Sequence, residues 1–143
     1  MLRTMMAAIA LIALLPLQAL AAPAATDPVL GRWLTQSRKA HIEIKPCGQT
    51  VCGAVVWLAD ETDGRIILDT RNKDAAKRGA RLLGAPMLWD FKPTPHGWAN
   101  RRIYNAEDGG TYRAALKPQP NGTLLVDGCV GPICRTQTWT RAP

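Results

Sequence analysis

The sequence predicts an all-β domain, either a sandwich or an up-and-down barrel of about eight short antiparallel strands, on three observations. Apolar residues recur mostly at period two, turn-forming residues separate the runs, and the runs repeat about every ten residues. Strands are expected near residues 29–36, 39–46, 51–58, 85–92, 97–105, 110–117, 123–129 and 134–141. Ile42 and Ile44 alternate with His41, Glu43 and Lys45, the pattern of a half-buried strand. Val51, Gly53, Val55 and Trp57 alternate with Cys52, Ala54, Val56 and Leu58, which suits a strand covered on both faces. Tyr112, Ala114 and Leu116 alternate with Thr111, Arg113 and Lys117, and Thr136, Thr138 and Thr140 with Arg135, Gln137, Trp139 and Arg141. Between the runs stand Asp63-Gly64, His96-Gly97, Glu107-Asp108-Gly109-Gly110 and Asn121-Gly122, the last being the strongest hairpin signal.

One connection departs from the strand pattern. Asn72 to Leu83 reads as one short helix in the 70–83 segment, with Asn72 as its cap, Asp74 in its first turn and an Asp74–Arg78 pair at i,i+4. Gly79 and Gly84 keep it to a turn or two lying over the sheet. There are no internal repeats and no low-complexity tracts.

The 143 residues carry a formal charge of +7, with 47% hydrophobic and 20% charged side chains, which fits one globular domain and excludes a disordered chain or a fibre. Met1-Leu2-Arg3, the apolar run Met5–Leu15 and the small residues Ala19 and Ala21 have the three-part layout of a secretory signal, with cleavage expected after Ala21. The apolar stretch falls short of the ~20 residues a bilayer core requires, which disfavours a retained membrane helix. Residues 22–28 read as a flexible leader and 29–143 as the folded domain. No cysteine precedes Cys47, so the lipid-acceptor thiol of a lipoprotein is missing, and the expected location is periplasmic or secreted. Loss of Arg3 with the signal leaves 17 basic and 11 acidic side chains, a charge of +6.

The cysteines fall as Cys47-x4-Cys52 and Cys129-x4-Cys134, each pair bracketing a turn. Facing residues of antiparallel strands stand ~4.5–5.5 Å apart at Cα, close to the span of a disulfide. Local bridges Cys47–Cys52 and Cys129–Cys134 are therefore the first choice among three connectivities. In the chain-entropy model each such ring contributes about 2 kcal/mol, so local bridges pin turns more than they secure the fold. A four-sulfur zinc site is the rival, but the spacing is loose for a finger and an oxidising compartment favours cystines.

The inventory of reactive groups is thin. A serine triad would need the lone Ser37 with His41, without a nucleophile-elbow context, and His96 sits in a turn. The carboxylates Asp60, Glu61 and Asp63, and Glu107 and Asp108, lie in turn-like segments where they serve local hydrogen bonding. Asp69-x-x-Asn72-x-Asp74 suggests cation ligands, but Arg71 and Lys73 intervene and a capping turn is the better reading. No catalytic residue, metal or cofactor is expected. Arg71, Lys73, Lys77, Arg78 and Arg81 form a basic patch against the single acid Asp74, either a solvated face or a surface for an anionic envelope partner. Nucleic acid is not expected, because no stacking aromatics interleave with these cations.

In order along the chain, the segments Gly31-Arg32-Trp33-Leu34-Thr35, Cys52–Leu58 (CGAVVWL) and Asp69-Thr70-Arg71-Asn72 are followed by Leu82-Leu83-Gly84, Arg102–Gly109 (RIYNAEDG) and Gln137–Arg141 (QTWTR). In this order they resemble the exported bacterial family known as domain of unknown function (DUF) family 2147. The resemblance implies a lipocalin-like antiparallel up-and-down barrel and no particular activity. In lipocalin-like barrels a Gly-x-Trp opens the first strand and an arginine near the end of the last strand covers the indole. Gly31-Arg32-Trp33 and Arg141 stand where that structural pair would sit. A barrel of this size holds side chains or one small ligand, open at one end. The expected function is a non-catalytic carrier or sensor of a small apolar or amphipathic anionic ligand. Trp57, Trp89, Trp98, Tyr104 and Tyr112 are candidates to line the mouth, and Arg102 and Arg113 to hold an anionic group if they turn inward, outward on solvated strands being the expected pose. The alternative is an envelope-associated stress or interaction protein with a solid core, acting through the basic patch.

Overall fold

A computed structural model describes residues 27–143; the expected signal segment 1–21 and leader residues 22–26 lie outside the described residues. Eight strands form a closed barrel in which each pairs with the next and the last returns to the first. They are β1 (Gly31–Leu34), β2 (Ala40–Cys47), β3 (Thr50–Leu58), β4 (Pro86–Thr94), β5 (Gly97–Asn105), β6 (Gly110–Pro118), β7 (Leu124–Val130) and β8 (Ile133–Arg141). Every pairing is antiparallel, so the β1–β2, β3–β4, β5–β6 and β7–β8 connections share one end and the other three turns share the opposite end.

The expected helix in the 70–83 connection is only one 3-10 turn, Ala75–Lys77, and a second such turn spans Ala59–Glu61. Asp74 caps Ala75–Lys77 by accepting from Ala76 N at 3.1 Å, while Asn72 accepts from Asp74 N one turn earlier. Arg78 does not pair with Asp74; its Nε donates to the Asn72 carbonyl. The physical reason is the ladder that the connection forms with itself. Asp69 N donates to Ala80 O and Leu82 N to Ile67 O, so the chain must turn back before a second helical turn closes.

The barrel closes at the seam between β1 and β8. Trp33 pairs with Arg141 and Leu34 with Thr140, and the Arg141 guanidinium lies 3.8 Å from the indole centroid of Trp33. Such a cation–π contact contributes about 0.5–2 kcal/mol. Arg141 also donates to the carbonyls of Pro28 and Leu30, and Trp33 Nε1 donates to Val29 O at 2.8 Å. These bonds wrap residues 28–30 under the barrel. Gly31 must be glycine for two reasons: its φ is +109°, and a Cβ there would stand 2.9 Å from Arg141 Nη1. Trp33, Ile44, Val51, Phe91, Leu116 and Leu124 are all nearly or fully inaccessible and fill this end.

Both cysteine pairs are bonded locally, Cys47–Cys52 and Cys129–Cys134, and no cysteine among the described residues is free. The first pins the β2–β3 hairpin at the closed end; the second pins the β7–β8 hairpin at the other end. No helix among the described residues is long and apolar enough to cross a membrane.

Candidate functional site

The second end of the barrel stays open because β1 is only four residues long. It meets β8 at two positions, so β8 from Ile133 to Trp139 has no β1 partner, and Gln36 Oε1 accepts from Thr138 N in its place. Residues Ile133–Thr138 are accordingly exposed, and the first buried residue of β8 is Trp139. The 59–85 connection crosses this mouth and leaves beneath it a pocket of about 370 Å³. Val55, Leu58, Ile67, Leu82, Met87, Ile103 and Trp139 form its apolar wall, and Lys39, Asp60, Asp69, Arg71, Glu107 and Gln137 bring polar groups to it.

The connection is held down by buried polar contacts. Asp69, only 6% exposed, accepts from Tyr104 Oη at 2.5 Å and from Asn72 Nδ2 at 2.7 Å. Burial, then the adjacent Asp69 carboxylate, push the Tyr104 hydroxyl far above its ordinary value, so it remains a donor throughout the physiological range. Glu61 accepts from Arg81 Nη2 at 2.7 Å and from Ile67 N at 2.9 Å, and these donors hold its carboxyl below the usual range. Arg71 Nη1 donates to Glu107 O, docking the connection onto the β5–β6 turn. A Cβ on Gly109 would run into the Arg71 carbonyl, so this docking requires glycine.

The aromatic and basic candidates separate. Tyr104 alone of the seven lines the pocket. Tyr112 turns up to the rim, where its hydroxyl donates to Asp108 Oδ2. Trp98 is buried at the closed end and points its indole N–H at Asp27. Trp57 faces outward and stacks on His41 with ring centroids 4.3 Å apart. Burial against this ring, then the charge of Arg32, lower the His41 pKa. Trp89 and Arg102 pair across β4 and β5 on the outer face, next to Arg113, which donates to Gly131 O. The basic residues Arg71, Lys73, Lys77, Arg78 and Arg81 are all exposed along the connection at the mouth.

Strand irregularities account for this separation. In β3 the register slips opposite His41 and Ile42, so Leu58 rather than Trp57 follows Val55 into the interior. Asp90, at φ +50°, lets both Leu88 and Phe91 point inward and turns Trp89 out. A third slip, between Ala99 and Arg101, puts Ile103 inside and Arg102 and Tyr104 outside, where the connection covers Tyr104. Trp139, Gln137 and Met87 were not among the expected lining residues. The alternation of Gln137, Trp139 and Arg141 was the signal for the first two, since Arg141 already faces the indole of Trp33.

The Asp69–Asn72–Asp74 series is a hydrogen-bonded turn, and among the described residues no three His, Cys, Asp or Glu side chains are grouped as metal ligands. His41 is stacked on Trp57, and the Ser37 hydroxyl stands 3.3 Å from that of Thr35.

A sequence profile of the family described as "uncharacterized protein conserved in bacteria (DUF2147)" matches residues 31–141. No curated protein sequence matches the chain. Among solved structures, the chain is similar to protein HP1028 from the human pathogen Helicobacter pylori, described as belonging to the lipocalin family. The TM-score is 0.70 at 21% identity, over 80% of this chain and 83% of that one. With its barrel, seam and order of strands in place, the chain belongs to the bacterial DUF2147 family and has a lipocalin-like fold.

Proposed function

We propose that this protein is an exported, non-catalytic binding module that carries or senses one small amphipathic ligand in the open mouth of its barrel. The observation that carries the reading is the pocket of about 370 Å³ between the upper barrel wall and the 59–85 connection. An apolar wall with a few polar groups at its edge, within the usual size range of ligand sites, is what such a molecule requires. Its chain would lie against Ile103, Met87 and Trp139, and its head group would reach the rim. An anionic head is the first choice: Lys39 and Arg71 are the cations lining the pocket, and of the carboxylates Asp60, Asp69 and Glu107 that line it too, the buried Asp69 is already engaged by Tyr104 and Asn72. Two cystines support an oxidising compartment, in keeping with the signal-like N-terminus.

Trp139 provides the test, since its indole lines the pocket. Laurate, monolaurin and dodecylamine are titrated against the protein while tryptophan emission is followed. Saturable change with laurate and monolaurin, absent in a Trp139→Phe variant, is expected. Binding of the amine as tight as that of the acid would remove the anionic preference. Flat emission with all three, together with unchanged hydrogen exchange at the mouth, would remove the binding reading itself.

A further inference from the structure

Every large apolar side chain counted as exposed among the described residues stands at one end of the barrel. Ile66 and Leu68, 63% and 42% exposed, lie on the connection, and Val130 and Ile133, 66% and 73% exposed, form the tip of the β7–β8 hairpin. Both segments flank the mouth, and the opposite end has none of this kind among the described residues. Burying these tips would remove apolar surface from water at about 25 cal/mol per Å². The Cys129–Cys134 bridge directly beneath Val130 and Ile133 holds the hairpin tip in shape without a covering partner.

The same end carries the basic segment. Arg71, Lys73, Lys77, Arg78 and Arg81 are exposed on the connection, and Arg113 and Arg135 flank the apolar hairpin. Some of this charge is offset at the same end, by Arg81–Glu61, Arg65–Asp63 and the exposed Asp60, Glu107 and Asp108, the last feeling the charge of Lys73. Lys73 forms no ion pair within 4 Å among the described residues, and Lys77 only a loose one, 3.9 Å from Asp74. Apolar tips set among cations match a surface whose interior is hydrocarbon and whose face is anionic. A soluble protein partner would be expected to meet a more continuous apolar face than two separate tips.

We infer that the open end is a docking surface for an anionic lipid bilayer. The Val130–Ile133 hairpin tip and Ile66 enter the head-group region, while Lys73, Lys77 and their neighbours meet the lipid charge. Docking in this orientation sets the mouth of the proposed ligand site against the lipid. Its purpose rests on that reading, although its geometry does not.

The test is sedimentation of the full mature chain with vesicles of equal parts phosphatidylglycerol and phosphatidylcholine, against vesicles of phosphatidylcholine alone. Binding to the anionic vesicles is expected, weakening as salt rises from about 0.05 to 0.5 M. Val130→Ser/Ile133→Ser lowers the partition coefficient at least about tenfold, since two apolar side chains no longer leave water. Lys73→Gln/Lys77→Gln lowers it about 30-fold. Both variants keep the Trp139 response to laurate, which separates failure of docking from failure of the ligand site. Equal binding to both vesicle types, no binding, or a hairpin variant that binds like the parent overturns the inference. So does a concentration-dependent dimer in analytical ultracentrifugation that the hairpin substitutions abolish, because the apolar tips would then serve a second copy.

Discussion

At the closed end Trp33 lies under Arg141, residues 28–30 are tied to both, and large buried side chains pack between the strands. At the open end β1 stops at Leu34, the upper half of β8 is exposed, and a 27-residue connection held by Asp69, Tyr104, Glu61 and Arg81 covers a pocket. One end thus derives its order from close packing of apolar groups, the other from a few polar staples. Packing of this kind fails globally when a large group is removed, whereas staples fail locally. The fold can therefore keep its stability and its pocket in different halves.

The largest effect expected from this difference is at Trp33. Trp33→Ala should cost about 3–5 kcal/mol in chemical denaturation, by lost burial and an unfilled cavity. Arg141→Ala should follow at about 2–3 kcal/mol, because the cation–π contact and the donors to Pro28 and Leu30 go together. In both variants the protection of the 59–85 connection against proteolysis, measured well below the unfolding transition, should stay at the parent level. Cleavage of the connection in either would break the division between the ends.

Tyr104→Phe should act the other way. It leaves Asp69 buried with one donor fewer, at a cost of about 1–2 kcal/mol, and hydrogen exchange should rise in residues 67–72 more than at the closed end. An equal rise at both ends would show that the mouth is part of the cooperative core.

The smallest effect is a pH dependence at Glu61. The donors from Arg81 and Ile67 depress its pKa below 4.5, so their stabilisation is fully present above that value and is lost as pH falls through the depressed one. Proteolysis of the connection should accelerate on acidification below about pH 4.5, and Arg81→Gln should flatten that profile. A parent and an Arg81→Gln variant with the same profile would place the sensitivity elsewhere, for example at Asp127, whose burial is outweighed by donors from Lys117 and Thr136.

All eight strands were legible in the sequence, because period-two alternation and turn residues act over a few neighbours. The two local cystines followed from spacing, and the Trp33–Arg141 pair from the resemblance. The mouth was much less legible. Residue type picks out Trp57, Trp89, Trp98, Tyr104 and Tyr112 as candidates, and solvated strands favour Arg102 and Arg113 outward, but neither says which aromatic reaches the mouth. A single extra residue in a strand reverses the face of everything beyond it. Three such slips, in β3, β4 and β5, turned Trp57, Trp89 and Arg102 outward.

What the sequence by itself determined was therefore what local pattern can encode, eight short strands and the staples at two hairpins, while the closed barrel and the pair that meets at its seam came from the resemblance. The tertiary structure alone decided which faces look inward beyond each bulge, where the short first strand leaves the barrel open, and that Asp69 meets Tyr104 across 35 residues. The physical reason is that a bulge and a long-range hydrogen bond are chosen by packing between strands distant in the chain, for which alternation along one strand carries no signal.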